Sequence, residues 1–513
     1  MMLEAAVIEE LRTLLGADHV TVGEDELRWV AENTLGLERR LLAVVRPATV
    51  DEMRAIVELA NRHRLVLYPV SRGLNVGYGD RAPVRDNQVL VDLRRMDRIR
   101  DFDALHGRVV VEPGVTQQQL YDFLVEQDAD FWMDVTGSSS EASVLGNTID
   151  GGFGHTPVGY RRRLLEGVEV VLGNGSVLHC GSFPAIGPDL NGLFVQSNLG
   201  IVTAIKVPLF PKPDRCRSFL LSIREDDRLE EMIERLVKLR RDGVLTSLVH
   251  TVNAVRSLVT FRPYPQEFES RIITLADAVN LTSTPIVRTG SWTAIGGLYG
   301  SKRMVSARAA EIRKAFRGLA RAQMISDRKV QTLKKIVQSW PVRDAAWAEM
   351  IRAGVEASEV VHGFSRGVPS DAGFESTLWR VDRFQDLGFI WLNGTVEATG
   401  ERVRDVLEIA GRLFRRIGFE LPVTLSSVTP ETIVATMSCS FHRKDPAQIE
   451  RAHELFFKVS EEFARAGIKP ARGSLLGMDR TRYDDEGKPE ALEELKKSFD
   501  PNGVIAPGRY GVG

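Results

Sequence analysis

The spacing of apolar and polar residues changes style once along the chain, near Pro213. Before that point short apolar runs predominate. "LLAVV" (41–45) predicts a strand, and Thr49 with Glu52 three residues on predicts a capping box opening a helix whose Met53, Ile56, Val57 and Ala60 share one face. "LVLYPV", "QVLVDL" and "RVVVEPG" read as further strands, followed by a helix that Thr116 caps and that buries Leu120, Phe123 and Leu124. "GVEVVLGNGSVLHC" predicts a hairpin with Asn174-Gly175 as a two-residue connection, and "GIVTAIKVPLFPKP" a last strand ended by prolines. Between them "DVTGSSSEASVLGNTIDGGFGHTPVGYRRR" (134–163) is too rich in glycine and serine to belong to the core.

Beyond Pro213 the pattern becomes strand followed by amphipathic helix. "SFLLSI" precedes "DDRLEEMIERLVKLRRDG", "TAIGGLYG" precedes "KRMVSARAAEIRKAFRGLA", "FIWLNGTVEATG" precedes "ERVRDVLEIAGRLFRRIG", and "TIVATMSCSF" precedes "PAQIERAHELFFKVSEEFARAG". Each helix carries an apolar stripe able to cover one face of a sheet, which predicts a second domain over roughly residues 214–468. The tail holds a charged helix and an Asp-Pro-Asn-Gly turn.

Composition narrows the function classes. A chain of 513 residues, 43% hydrophobic and 27% charged with formal net charge −2, has no electrostatic reason to bind nucleic acid or a membrane surface, so a small molecule is the expected partner. Cys180, Cys216 and Cys439 are far apart with no metal-ligand spacing, which argues against a disulfide framework and a metal site and for a reducing compartment. Glu4, Glu9 and Glu10 interrupt the apolar N-terminus, predicting a surface helix rather than a signal peptide, and no window offers the roughly 18 apolar residues of a membrane span. A soluble, cytoplasmic protein is the expectation.

The candidate chemistry lies in the glycine segments. "SRGLNVGYG" and "GGFGHTPVG" are not dinucleotide fingerprints, because after Gly152 and Gly154 the third position is Pro157 and no helical run follows; no GK[ST] phosphate loop occurs either. The first segment is either an ordinary turn or a row of amide donors suited to a pyrophosphate.

The ordered set "YPVSRGLNVGYGDRAP", "VLVDL", "VVVEPGVT", "SVLGNTIDGGFGHTPVG", "VEVVLGNGSVL", "QSNLGIVTAI" and "DPNGVIAPGRYG", with "HGFSRGVPS" and the "ARG" of 471–473 as weaker echoes, resembles the vanillyl-alcohol oxidase and para-cresol methylhydroxylase family. The resemblance implies an α+β fold. Residues 1–213 and 469–513 would form a two-part FAD-binding domain, and 214–468 an α+β cap of antiparallel sheet covered by helices. It places Val70, Ser71, Arg72, Gly73, Leu74, Asn75, Gly77, Tyr78 and Gly79 around the FAD pyrophosphate. Pro113, Gly114 and Val115, then Ser143, Gly146 and Asn147, then Gly151, Gly154 and His155, and finally Gly200, Ile201 and Val202 would surround the rest of the cofactor. Arg509 would pair with its negative charge.

Family members take hydride from a carbon beside a phenol ring and hold the phenolate with two tyrosines and an arginine. Tyr78 and Arg472 match one tyrosine and the arginine, whereas Ala471 stands in place of the second tyrosine. Ser138 is the nearest match to the usual acidic residue beside the flavin. His155, a tyrosine in relatives, is a candidate base, the alternative being a histidine that only hydrogen-bonds cofactor or backbone. Glu141 is a further carboxylate, read as an exposed loop residue, and the run Arg161–Arg163 is read as a solvated loop. Trp292, Trp379 and Trp391 either line an aromatic pocket or sit in the core, and Cys439 reads as an inert buried thiol. Phe389 occupies the place of the histidine that links FAD covalently in many members, so a dissociable FAD is expected.

The leading expectation is an FAD-dependent oxidase or dehydrogenase acting on an alkylphenol or benzylic alcohol. A flavoenzyme for a 2-hydroxy acid or larger natural-product intermediate, and a degenerate flavoprotein serving electron transfer, are the alternatives. Family members are often dimers or larger, so the resemblance allows a homodimer while leaving the oligomeric state open, and it leaves dioxygen and a cytochrome both open as electron acceptor.

Overall fold

A computed structural model of the chain describes residues 3–181, 186–261, 264–268, 271–283, 290–338, 346–478 and 487–513. Its first sheet has Leu41–Val45, Gln88–Asp92 and Leu67–Val70 running parallel in that order, with Val20–Thr21 antiparallel at one edge. Leu41–Val45 and Gln88–Asp92 are buried along their whole length, as expected of parallel strands covered on both faces. The helix Val50–His63 makes the crossover, burying Met53, Ile56, Val57 and Ala60. Its cap is nearly the one expected: Thr49 Oγ1 accepts from the Glu52 amide at 3.1 Å, but Glu52 Oε2 takes the amide of Ala48, at 2.6 Å, rather than that of Thr49. Thr116 and Gln119 form a full reciprocal box at the start of Gln117–Glu126.

The second sheet is antiparallel, in the order Ile99–Asp103, Arg108–Val111, Ile201–Pro208, Gly167–Val171, Val177–Gly181. The hairpin closing it corrects the two-residue connection. Leu172 and Ser176 still pair, so the loop is Gly173-Asn174-Gly175, with Gly175 at φ 83° as the left-handed residue that ends a three-residue turn. The last residues return to this half: the Leu67 amide donates to Val504 O at 2.7 Å, and Asn198 Nδ2 donates to the carbonyls of Ala506 and Val512.

The third sheet has seven strands, all antiparallel: Arg321–Ile325, Arg215–Ile223, Trp292–Gly300, Val249–Asn253, Val423–Ser427, Thr432–His442 and Leu387–Glu397. Strand alternation gives it two unlike faces. Ile390, Leu392, Ala435, Met437, Cys439 and Phe441 point to a core shared with Val403, Val406 and Ala410 of Gly400–Ile417 and with Leu455 and Val459 of Pro446–Arg465. The opposite register carries Phe389, Trp391 and Asn393 facing Ser440, Ser438 and Thr436, with Ser426 and His250 on the next strands. A sheet that is greasy on one side and hydroxyl-rich on the other is built to cover something polar.

The passage 134–163 corrects the expectation that it lies outside the core. Val135, Val144, Leu145, Thr148, Thr156 and Arg161 are buried, and a short helix spans Val144–Ile149. Buried loops need internal partners for their polar groups, and Asp134 supplies them. Its Oδ1 accepts from the amides of His155 and Thr156 and from Thr156 Oγ1, while its Oδ2 lies 3.0 Å from Arg161 Nε. Arg161 is therefore an interior ion-pair partner, not the solvated loop charge expected.

Candidate cofactor and substrate cleft

A cleft of about 1460 Å³, solvent mouth included, opens between the first two sheets and Trp391 on the third. Its floor begins where Leu67–Val70 ends and the chain leaves the carboxyl edge of the parallel strands. Val70, Ser71, Arg72, Gly73, Leu74, Asn75 and Tyr78 line it, as do Ser138, Ser143, Gly146, Asn147, Gly200, Ile201, Val202, Arg472 and Arg509. The lining does not include Gly77, Gly79, Pro113, Gly114, Val115, Gly151, Gly154 or His155.

The glycines have a reason apart from any ligand. Gly73, Gly77 and Gly79 adopt φ of 68°, 78° and 127°, and a Cβ on Gly77 would lie 2.6 Å from Trp391 and one on Gly79 2.7 Å from Leu475. What this winding leaves behind is the useful part. From Arg72 to Val76 no backbone amide donates to an acceptor among the described residues, so this half-buried segment presents a row of free donors to the cleft. Around the same cleft Asn147 Oδ1, Asn198 Oδ1, Arg472 Nε and Arg509 Nε are buried with no protein partner. These atoms fit a large ligand with a diphosphate and a polar ring edge.

At one end stands Asp150, which sequence reasoning missed. Its Oδ1 accepts from Arg509 Nη2 at 3.0 Å and from the Tyr510 hydroxyl at 2.6 Å; its Oδ2 accepts from Arg472 Nη2 at 3.0 Å. Burial alone would raise its pKa, but Arg509 and Arg472, with Tyr510 donating, hold the carboxyl down to about 2. Two guanidiniums against one carboxylate leave a surplus positive charge on the cleft wall. Arg472 also donates to Asn75 Oδ1 at 2.8 Å and lies over the Tyr78 ring, 4.6 Å from its centroid. Asn393, from the cap sheet, accepts from the amides of Ala471 and Arg472 and so fixes the turn that presents the guanidinium. Burial raises the Tyr78 hydroxyl above its usual range.

His155 lies behind this wall. Its ring stacks on Phe364 with centroids 4.8 Å apart and meets His250 at 4.4 Å. Burial, with Arg161 adding, lowers His155 to about 4, and burial lowers His250 to about 3, so both are neutral at pH 7. Gly137, which lines the cleft, is close by: a Cβ there would lie 3.8 Å from His155 Nε2. Ser138 lines the cleft with its Oγ 2.6 Å from Thr136 Oγ1, and Glu141 is exposed and paired with Arg72 at 2.5 Å. Of the three tryptophans only Trp391 reaches the cleft; Trp292 and Trp379 are buried in cores. Phe389 is 1% exposed, packed against Trp391, Val381 and Leu387. Burial raises the Cys439 thiol far above its usual range. Among the described residues no metal-holding cluster occurs, and no helix is long and apolar enough to cross a membrane.

The fold and the cleft define an FAD-dependent oxidoreductase. Residues 41–181 match the FAD binding domain model and 434–510 the model for the C-terminal domain of FAD linked oxidases. The chain is 29% identical to 1'-carboxy-chondrochloren decarboxylase of Chondromyces crocatus, covering 97% of this chain and 96% of that protein. It is 26% identical to the 4-cresol dehydrogenase [hydroxylating] flavoprotein subunit of Pseudomonas putida, over 98% and 95%. A solved p-cresol methylhydroxylase with substrate bound superposes with a TM-score of 0.88 at 25% identity, over 99% of this chain and 96% of that one. The two FAD-oxidase domains and the full-length likeness to p-cresol methylhydroxylase support the resemblance to the vanillyl-alcohol oxidase and para-cresol methylhydroxylase family of FAD-linked oxidoreductases.

Proposed function

We propose that this enzyme oxidises a small phenolic substrate at the carbon attached para to its hydroxyl. The amides of Arg72–Val76, with Ser143, Asn147, Asn198 and the strand start at Gly200–Val202, would hold FAD, and Arg509 would balance its negative charge. FAD supplies the two-electron acceptor for the hydride that leaves this carbon.

The observation that carries the reading is the surplus positive charge at Arg472, Arg509 and Asp150 beside Tyr78. A phenolate entering the cleft gains a guanidinium already oriented by Asn75, Asp150 and the Asn393-held turn, so little reorganisation is needed as charge shifts during oxidation. Ala471 supplies no second hydroxyl, which makes Arg472 and Tyr78 carry this task together. Asp150 near 2 stays a carboxylate and Tyr78 stays a phenol at pH 7; neither takes the substrate proton, and the phenol must ionise on binding. Phe389 offers no nucleophile for a flavin bond, which supports a dissociable cofactor.

Anaerobic mixing with a para-alkylphenol and with its methyl ether tests this. The phenol bleaches the flavin band and the ether, which cannot ionise, does not; equal bleaching by both, or none by any para-alkylphenol, contradicts the proposal.

A further inference from the structure

Residues 31–37 precede the matched FAD binding domain, which starts at residue 41, and line no part of the cleft. They are nevertheless wedged between the glycine loop and the cap. Asn33 closes the segment into a turn, its Nδ2 donating to the carbonyls of Ala31 and Leu37 and its Oδ1 accepting from the Leu37 amide. The cap helix Pro446–Arg465 holds it from outside: His453 Nε2 lies 2.7 Å from Leu35 O, and a Cβ on Gly36 would lie 3.0 Å from Ile449.

Thr34, 1% exposed, stands at the centre of this wedge. Its carbonyl accepts from the Phe389 amide at 2.7 Å, which ties it to the edge strand of the cap sheet. Its amide and hydroxyl both donate to Asp80 Oδ2, at 2.6 and 2.7 Å, and the hydroxyl oxygen accepts from the Gly77 amide at 2.8 Å. A hydroxyl has one proton to give. Because Asp80 takes it, a lone pair is left aimed at Gly77.

Tyr78 is the next residue. Four hydrogen bonds fix the backbone around it: Gly77 N to Thr34 Oγ1, Trp391 N to Gly77 O at 3.1 Å, Tyr78 N to Asn75 O at 3.0 Å, and Leu475 N to Tyr78 O at 2.9 Å. Three of them join main-chain groups that any side chain leaves in place; the fourth depends on the Thr34 hydroxyl. Asp80, which orients that hydroxyl, adopts φ 52°, a costly conformation for a residue other than glycine that persists where its surroundings over-determine it. The ring so placed is the one that Arg472 covers at 4.6 Å.

We propose that Thr34 is a positioning residue for phenolate binding: its hydroxyl, aimed by Asp80, holds the glycine loop where the Tyr78 ring meets the Arg472 guanidinium. The inference rests on the phenol-oxidation reading and deepens it by naming what fixes the anion-binding pair. Misplacement of such a pair by about 1 Å costs up to about 100-fold in rate.

The test uses holoenzyme and 4-nitrophenol, which carries no carbon para to its hydroxyl to give up hydride and whose ionisation is read from its own absorbance. At saturation the unaltered enzyme ionises the bound probe at a lower pH than solution does. Thr34→Val, which keeps the shape and removes the hydroxyl, raises that pH by about one unit, an about tenfold loss of preference for the phenolate, whereas Thr34→Ser, which keeps the hydroxyl, does not. A valine variant that ionises the probe at the unaltered pH, whatever its unfolding midpoint, overturns the proposal, as does a serine variant that behaves like valine. Should the valine variant not fold, hydrogen exchange at the Gly77 amide of the unaltered holoenzyme decides: slow exchange is expected of a donor held by a buried hydroxyl, and exchange at the rate of an open loop overturns the proposal. An unaltered enzyme that does not ionise the probe early refutes the phenolate reading and this proposal with it, while unchanged variants refute this proposal alone.

Discussion

Asp150→Ala is expected to lower stability by about 3–5 kcal/mol, the usual cost of removing one partner from a buried ion pair. The loss is large because Asp150 is shared. Two guanidiniums, Arg472 and Arg509, and the Tyr510 hydroxyl all converge on its two oxygens, and alanine leaves two like charges facing each other out of water. Because Asp150 also lines the cleft, the variant should purify with little FAD. The pH dependence follows from the depressed pKa. Folded Asp150 titrates near 2 against an ordinary 3.8, so its contribution is complete above about pH 4 and disappears as the pH falls towards 2. Denaturant unfolding at neutral and acid pH, with cofactor content measured on the same samples, checks both points. A variant as stable at pH 7 as the unaltered protein and fully loaded with FAD would show that the cluster is not what holds this wall together.

Arg472→Ala should slow reduction of the flavin by a para-alkylphenol about 10²–10³-fold, the loss typical when one preorganised donor to a developing anion is removed. The fold should survive, since Asp150 keeps Arg509 and Tyr510. Arg472→Lys should recover only part of the rate: a lysine restores the charge but not the two-sided contact that places the guanidinium over the Tyr78 ring while bonding Asn75 and Asp150. Rapid-mixing kinetics under anaerobic conditions reads this out. A loss smaller than about tenfold would move phenolate stabilisation to another residue.

Much of the fold could be read from the sequence, where periodicity is a local property. The four cap helices read from the sequence announce themselves because each carries its own apolar stripe, such as Val403, Val406, Ala410 and Leu413 in Gly400–Ile417, whereas Ala254–Phe261, Leu275–Thr282, Asp327–Gln338 and Ala346–Phe364 are not among them. Strands Val249–Asn253 and Val423–Ser427 do not announce themselves, because their polar alternate residues, His250 and Ser426 among them, are buried beside the Gly154 loop rather than turned to solvent and leave too weak an apolar run. The glycine loop read as either a turn or a ligand cradle, and its glycines answer first to backbone winding and to Trp391 and Leu475. Asp150 was invisible for a different reason. A lone aspartate in "NTIDGG" says nothing until Arg472, Arg509 and Tyr510, 322, 359 and 360 residues away, are brought to it. His155 is a further case: its type and place suggested a base beside the cofactor, and the structure sets its ring against Phe364 and His250, next to Gly137, where burial lowers its affinity for a proton.

The central claim is that the cleft between the parallel strands and the cap grips one molecule of FAD without a covalent bond. Acid precipitation of the purified protein measures this most directly. The account predicts a yellow protein that yields a white pellet and a supernatant holding one FAD per chain. A colourless protein that takes up no FAD on reconstitution, or a pellet that keeps the flavin, would contradict it.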